Sequence, residues 1–227
     1  MGKQGEKGVS LGEANLVAGR YLVFSLLLLA LIFILALTDE ATFRFFNQDG
    51  IKPLTKGLMW FLSQPAVNYI PLLVLAGWLG IRCGTKGRLV LAGLAILFFL
   101  TDFTLSQGVR PFFDRPRPWA SLTGVHYLHQ HGWMMTDSGF LAQAPRFIGF
   151  PSAHASNTMG LAFYLGRFYP PLGLVAAQVS ILIGLSRIYT GNHFPADVLA
   201  GYLYGALAGL AVAWVVKRFG RRFLKLI

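Results

Sequence analysis

Residues 195–218 read PADVLAGYLYGALAGLAVAWVVKR. From Val198 to Val216 the run is uncharged, close to the roughly 20 apolar residues that a helix needs to cross a bilayer. Pro195 suits the first helical turn, where its missing N–H costs nothing. Asp197 falls in the same turn, where the helix dipole favours a carboxylate. Gly201, Gly205, Gly209 and Ala213 recur at every fourth position, with Ala208 beside them. Such a face lets helix backbones approach closely in lipid; packing is its first expected use, and a homodimer through Gly201, Gly205 and Gly209 its second.

Working outward, further apolar windows lie at 21–38, 57–81, 89–101 (extended past Asp102 to about Gln107), 147–166 and 168–186. Ser63, Gln64 and Pro65 interrupt the second, so its spanning part starts near Val67. The expected fold is all-α: one domain over 1–227, a multi-pass membrane protein with six transmembrane helices in one bundle. Its spans are about 21–38, 67–81, 89–107, 152–168, 171–187 and 195–216. The composition agrees, with 55% hydrophobic and 13% charged residues where soluble domains carry about 25% charged. The run from Tyr21 to Leu37 exceeds the roughly 7–15 residues of a signal-peptide core, which predicts an uncleaved first helix. Between it and the second span, Phe43, Phe45, Phe46, Ile51, Leu54, Leu58, Trp60 and Phe61 alternate with Arg44, Lys52 and Lys56. That mixture fits a stretch lying in the membrane interface, or an ordinary connecting loop.

The net charge of +11 would suggest nucleic acid in a soluble protein. Here the basic residues report orientation instead. With six spans, twelve of the twenty lie on the side of the termini and eight on the other, which favours cytoplasmic termini. The single cysteine, Cys83, excludes an intrachain disulfide and a Cys-based metal site.

Polar residues concentrate in three segments: Arg110 to Pro118 after the third span, Pro151 to His154 opening the fourth, and Ser186 to Asp197 between the fifth and sixth. Span parity places all three at one membrane face. Arg110, Arg117 and Arg187 then supply three permanent charges in a fork geometry suited to phosphate oxygens. Ser152 and the amides after Pro151 sit at a helix start, itself an anion site. His193 lies about one turn before Asp197, a spacing that lets the carboxylate fix the imidazole tautomer and leave the other nitrogen free as nucleophile or base.

The pattern RxxxxxxRP at 110–118, PSAH at 151–154 and SRxxxxxHxxxD at 186–197 resembles the three-part signature of the type 2 phosphatidic acid phosphatase superfamily, usually written KX6RP, PSGH and SRX5HX3D. Order and internal spacing agree, and the six-span layout covers nearly the whole chain. Two positions depart: Arg110 stands where the family usually has Lys, and Ala153 where it has Gly. The second is mild for a residue acting through its backbone amide. The first keeps charge but exchanges a point charge for a rigid fork.

The resemblance implies metal-independent hydrolysis of a lipid phosphomonoester or diphosphate through a phosphohistidine, with no cofactor. His193 would attack phosphorus, Asp197 would orient its imidazole, and His154 would protonate the leaving oxygen and then activate water. Arg110, Arg117, Arg187, Ser152 and Ala153 would bind the phosphate, while Ser186 would hydrogen-bond near Arg187 without reacting. Family substrates include phosphatidic acid, phosphatidylglycerol phosphate, isoprenyl diphosphates and lipid A phosphates. A bacterial inner-membrane protein is implied, with the active site at the periplasmic or outer face and no use for nucleic acid. Two rivals stand beside this reading: a lipid phosphotransferase of the same superfamily, and a nonenzymatic lipid transporter. The loop 111–150 lies beside the site. Its His126, His129 and His131 are expected in a polar or substrate-facing loop rather than on a metal, and Phe112, Phe113, Trp119, Trp133, Met134 and Met135 are expected to line the lipid's way in. Asp102 is expected to be structural.

Overall fold

Prolines open three of the long helices, each in the first turn, where no intrahelical bond is lost. In the computed structural model, which describes residues 37–47, 53–129, 132–145 and 147–224, these are α3 (Pro65–Arg82), α7 (Pro170–Tyr189) and α8 (Pro195–Leu224). Ahead of them come α1 (Asp39–Phe46) and α2 (Pro53–Ser63). Then α4 (Gly84–Phe103) runs on into a π-helical turn, Thr104–Val109, and a 3₁₀ turn, Arg110–Phe112. The 14-residue α6 (Ala153–Gly166) follows the long loop. Asp39–Ile227 forms one compact unit. The expected first span, 21–38, lies outside the described residues apart from its last two positions.

Three described helical stretches are long and apolar enough to cross a membrane: Gly84–Phe112, Pro170–Tyr189 and Pro195–Gly220, with a shorter apolar stretch at Ile70–Arg82. The protein is therefore an integral membrane protein, and mostly helical. α6 is about 21 Å long by the 1.5 Å rise and is sheltered between α7 and α8. Asp39–Phe46 and Pro53–Ser63 are helical, with Phe45, Phe46, Leu54, Leu58, Trp60 and Phe61 turned outward.

The all-α expectation needs one correction. The loop after α4 holds a two-stranded antiparallel sheet, β1 (His126–His129) with β2 (Gly132–Met135), in which His126 faces Met135 and Leu128 faces Trp133. Two short aromatic-rich runs meet at Gly132, whose φ of +122° suits glycine alone. A short α5 (Ser138–Gln143) follows, capped by Asp137, whose Oδ1 accepts from the Phe140 N–H at 2.7 Å.

Two apolar clusters divide the bundle. At one end Leu79, Val90, Leu94, Leu97, Tyr164, Leu165, Val212 and Ala213 pack together, and the buried Tyr164 hydroxyl donates to the Val90 carbonyl at 2.9 Å. At the other end Phe43, Trp119, Val125, Ala155, Ile188, Phe194 and Val198 join α1 and the long loop to the helix ends. Between them runs the glycine face of α8. A Cβ on Gly201, Gly205 or Gly209 would stand 2.5, 2.0 or 2.4 Å from the carbonyl oxygen of Ser152, Ser156 or Gly160 on or next to α6. The face packs against α6 within the chain, the first of its two expected uses. Gly205→Ala is expected to cost about 3 kcal/mol, the upper part of the overpacking range, because the atom it meets is backbone. Thermal unfolding in detergent checks this, and an unchanged melting temperature would contradict the packing.

Candidate active site

The π turn at Thr104–Val109 departs from α-helical periodicity just before Arg110, a device common near functional sites. Arg110 then reaches the start of α6, its Nη2 donating to the Pro151 carbonyl at 3.5 Å. Below it, Asp102 and Thr101 both bond Asn157 of α6: Asn157 donates to Asp102 at 2.9 Å, and Thr101 donates to Asn157 at 2.7 Å. Asp102 is thus held in a polar clasp between α4 and α6, as expected of a structural carboxylate.

Arg117 precedes the 3₁₀ turn Pro118–Ala120; its N–H donates to Phe147 O at 3.2 Å and its Nη1 to Asn192 Oδ1 at 3.4 Å. Burial, then the charge of Arg110, lowers its basicity, yet a guanidinium stays protonated. Arg187, only 8% exposed, sits in the last turn of α7, where the dipole favours a cation. Beyond it the chain doubles back. Gly191 takes φ +74°, and the N–H groups of Asn192 and His193 both donate to Arg187 O, at 3.0 and 3.1 Å. A Cβ on Gly191 would meet the His126 carbonyl at 2.8 Å, so the sheet rests directly on this turn.

His193 emerges from the turn 1% exposed, with Nδ1 3.5 Å from Asp197 Oδ2. Burial holds its pKa well below the usual 6.5; the charges of Arg117, Arg187 and Arg110 push the same way, and a backbone hydrogen bond to Gly149 opposes them. The imidazole is therefore neutral near pH 7, the form that can attack. Asp197 accepts from the Phe194 N–H at 2.9 Å through Oδ2 and from Arg115 Nη1 at 3.0 Å through Oδ1.

The second motif closes the pocket. Ser152 is fully buried; its N–H donates to Asp197 O at 2.9 Å, and its Oγ accepts from the Ala155 N–H at 3.5 Å. The hydroxyl proton stays free to donate. The amides of Ala153 and His154 open α6, and His154 lies in the field of Arg187, His193, Arg117 and Arg110. The three segments foreseen to converge are thus brought together by direct bonds. The Nε atoms of Arg110, Arg117 and Arg187 and the Nδ1 of His193 are buried without a hydrogen-bond partner. Among the described residues none of the three arginines is ion-paired, a costly arrangement unless an anion completes it.

Several expectations change. Trp119 does not line the lipid's way in: it is 5% exposed, stacked 4.9 Å from Tyr127 in the second cluster. Trp133 packs edge-on to Tyr189, leaving Phe112, Phe113 and Met135 as the outward apolar groups of that set. Arg115 is no loose loop charge but is bound to Asp197 and to Asp39. Ser186 donates to Ile183 O at 2.7 Å, one turn back along α7, and accepts from Ser63 Oγ at 3.3 Å. His126 is fixed through its backbone by Asn47 at 2.8 and 2.9 Å. His131 and the His129 side chain lie outside the described residues, among which no cluster suited to a metal ion occurs. Reading by motif missed Asn192 and Gly149. A Cβ on Gly149 would stand 3.1 Å from Asp197 Oδ2 and 3.3 Å from Arg117 Cγ. The available signals were their places, inside the third motif and two residues before Pro151.

The family model for the PAP2 superfamily matches residues 87–221, which takes in all three motif segments. The chain belongs to the PAP2 superfamily. Among the chain's relatives, the bacitracin transport permease protein BcrC of Bacillus licheniformis is 27% identical over 177 residues, covering 78% of this chain and 79% of its own. A lipid A 1-phosphatase of Rhizobium johnstonii is 31% identical over 132 residues, 57% of this chain and half of its own length. In fold, the protein is similar to the transmembrane PAP2-type phosphatidylglycerolphosphate phosphatase of Bacillus subtilis, with a TM-score of 0.54, 22% identity, and coverage of 88% of this chain and 94% of that one.

Proposed function

We propose that this PAP2 protein is an integral-membrane lipid phosphatase that hydrolyses a lipid phosphomonoester or diphosphate through a phosphohistidine, without a metal. The observation that carries the reading is the set of three guanidiniums around a buried His193, Arg187 buried and Arg110 and Arg117 half-buried, each with a buried Nε that has no hydrogen-bond partner and none ion-paired with a carboxylate among the described residues. A phosphate dianion supplies the missing countercharge. The names of relatives such as the lipid A 1-phosphatase support the chemistry, and the apolar helices that carry the site support an amphiphilic substrate whose tails remain in lipid.

In this mechanism Nε2 of His193 attacks phosphorus, the P–O bond to the leaving group breaks, and His154 delivers its proton to the departing oxygen. Asp197 Oδ2, 3.5 Å from Nδ1, faces the imidazole and stabilises the positive charge that develops there. His154, now neutral, takes a proton from water, whose oxygen attacks phosphorus; the P–N bond breaks and His193 is restored. Arg110, Arg117, Arg187, the Ser152 hydroxyl and the Ala153 and His154 amides stabilise the equatorial oxygens, the main task in phosphoryl transfer.

The layout proposed with it has six spans, α6 being a sheltered fourth, in a bacterial inner membrane with cytoplasmic termini and a periplasmic site. Once the three phosphate-binding arginines are set aside, five basic residues remain on the site's side against twelve on the other, as the positive-inside rule asks. The test is phosphate release by the purified full chain in detergent, with EDTA present, from phosphatidic acid, phosphatidylglycerol phosphate, undecaprenyl diphosphate and lipid A. Release from at least one is expected. Transfer to a lipid acceptor in place of water would identify a phosphotransferase, and no turnover of any of them would overturn the reading.

A further inference from the structure

Asp39 opens α1, far in sequence from all three motifs, yet it is 2% exposed. Its Oδ1 accepts from the Ala196 N–H at 2.9 Å, and its Oδ2 accepts from Arg115 Nη2. The other arm of the same guanidinium, Nη1, donates to Asp197 Oδ1 at 3.0 Å. One planar fork is thus shared by two carboxylates, and its Cζ lies over the Phe194 ring, 4.5 Å from the centroid. Phe43, one turn along α1 from Asp39, meets the same ring edge-on at 5.4 Å. The second oxygen of Asp197 then faces His193.

This arrangement has a consequence for charge as well as for shape. An Asp197 paired with Arg115 alone would be largely neutralised and of little help to a developing imidazolium. With Asp39 on the other arm, Arg115 keeps its directional grip while the cluster of one cation and two carboxylates retains a net negative charge beside His193. We propose that Asp39 is a positioning residue for the phosphoryl-transfer chemistry, acting through Arg115 to aim Asp197 and preserve its charge. The proposal rests on the reading of His193 as nucleophile. It gives the segment ahead of the second span a role that the three motifs leave unassigned.

The test uses purified full-length protein in detergent with dioctanoyl phosphatidic acid and farnesyl diphosphate as probes. Asp39→Asn keeps the size of the side chain and removes its charge. It is expected to lower kcat about tenfold or more with KM within about twofold. Placed in an Asp197→Asn background, the same change is expected to cost less than about twofold further, because its route to His193 is already cut. An Asp39→Asn enzyme with wild-type kcat overturns the proposal. So does an equal loss in both backgrounds, or a loss matched by the unfolded fraction in size-exclusion profiles. A wild-type protein that turns over neither these probes nor any lipid of the panel above, like His193→Ala, overturns the phosphatase reading itself and this role with it.

Discussion

His193→Ala is expected to reduce turnover of a lipid phosphate by about 10⁴-fold or more, the scale on which loss of a covalent nucleophile is felt. No other described side chain occupies its position: it leaves the turn after α7 pinned by its own N–H to Arg187 O, with Asp197 on one nitrogen. Water attacking directly would still meet the arginines, which is why a small residual rate is compatible with the account and a large one is not. The same burial has a thermodynamic signature. Because the folded protein holds His193 below the usual 6.5, the unfolded chain binds the extra proton first as pH falls. Stability therefore drops with falling pH below about 6.5, by up to one proton's worth of slope. Melting temperatures of wild type and His193→Ala between about pH 5 and 7 should show a shallower slope in the variant; identical slopes would mean that the imidazole is not buried neutral.

Arg187→Leu carries the second large effect, a loss of about a thousandfold in kcat/KM, in line with removing one preorganised charge from a phosphoryl-transfer site. Its discriminating feature is stability. Arg187 is 8% exposed, its Nε has no partner, and no carboxylate pairs with it among the described residues. Removing an uncompensated buried cation relieves a penalty of several kcal/mol, so the variant should melt at or above the wild-type temperature while losing activity. A residue that served only the fold would do the reverse. Inorganic phosphate should raise the melting temperature of the wild type by mass action and leave that of Arg187→Leu unmoved; parallel shifts would place the anion elsewhere.

Much of this site was legible in the sequence because its chemistry is local in the chain. RxxxxxxRP, PSAH and SRxxxxxHxxxD each name residues within a turn or two of one another, and the parity of apolar runs placed them at one face. The contributions that escaped are those whose meaning is long-range. Asp39 acquires a role only when α1 packs against α7 and α8. Arg115 is not a fixed position of RxxxxxxRP, and its role depends on two carboxylates far away in the chain. Trp119 read as an interfacial aromatic because an apolar ring beside a span is expected at the lipid boundary; the second cluster, built by residues from α1, α7 and α8, draws it inward. The glycine face was legible as a packing surface, but a four-residue period does not say which helix fills it. The small sheet had only short runs to announce it, too brief for periodicity to separate strand from loop.

The central claim, covalent transfer to His193, is tested most directly by mixing the purified protein with a ³²P-labelled lipid phosphate that it turns over, quenching in alkali within the first turnover, and mapping the label. The account predicts an alkali-stable, acid-labile phosphoryl group on His193 in the wild type, accumulating in Asp197→Asn only in proportion to its slower turnover and absent from His193→Ala. Phosphate release proceeding at full rate with no label on His193 would contradict it.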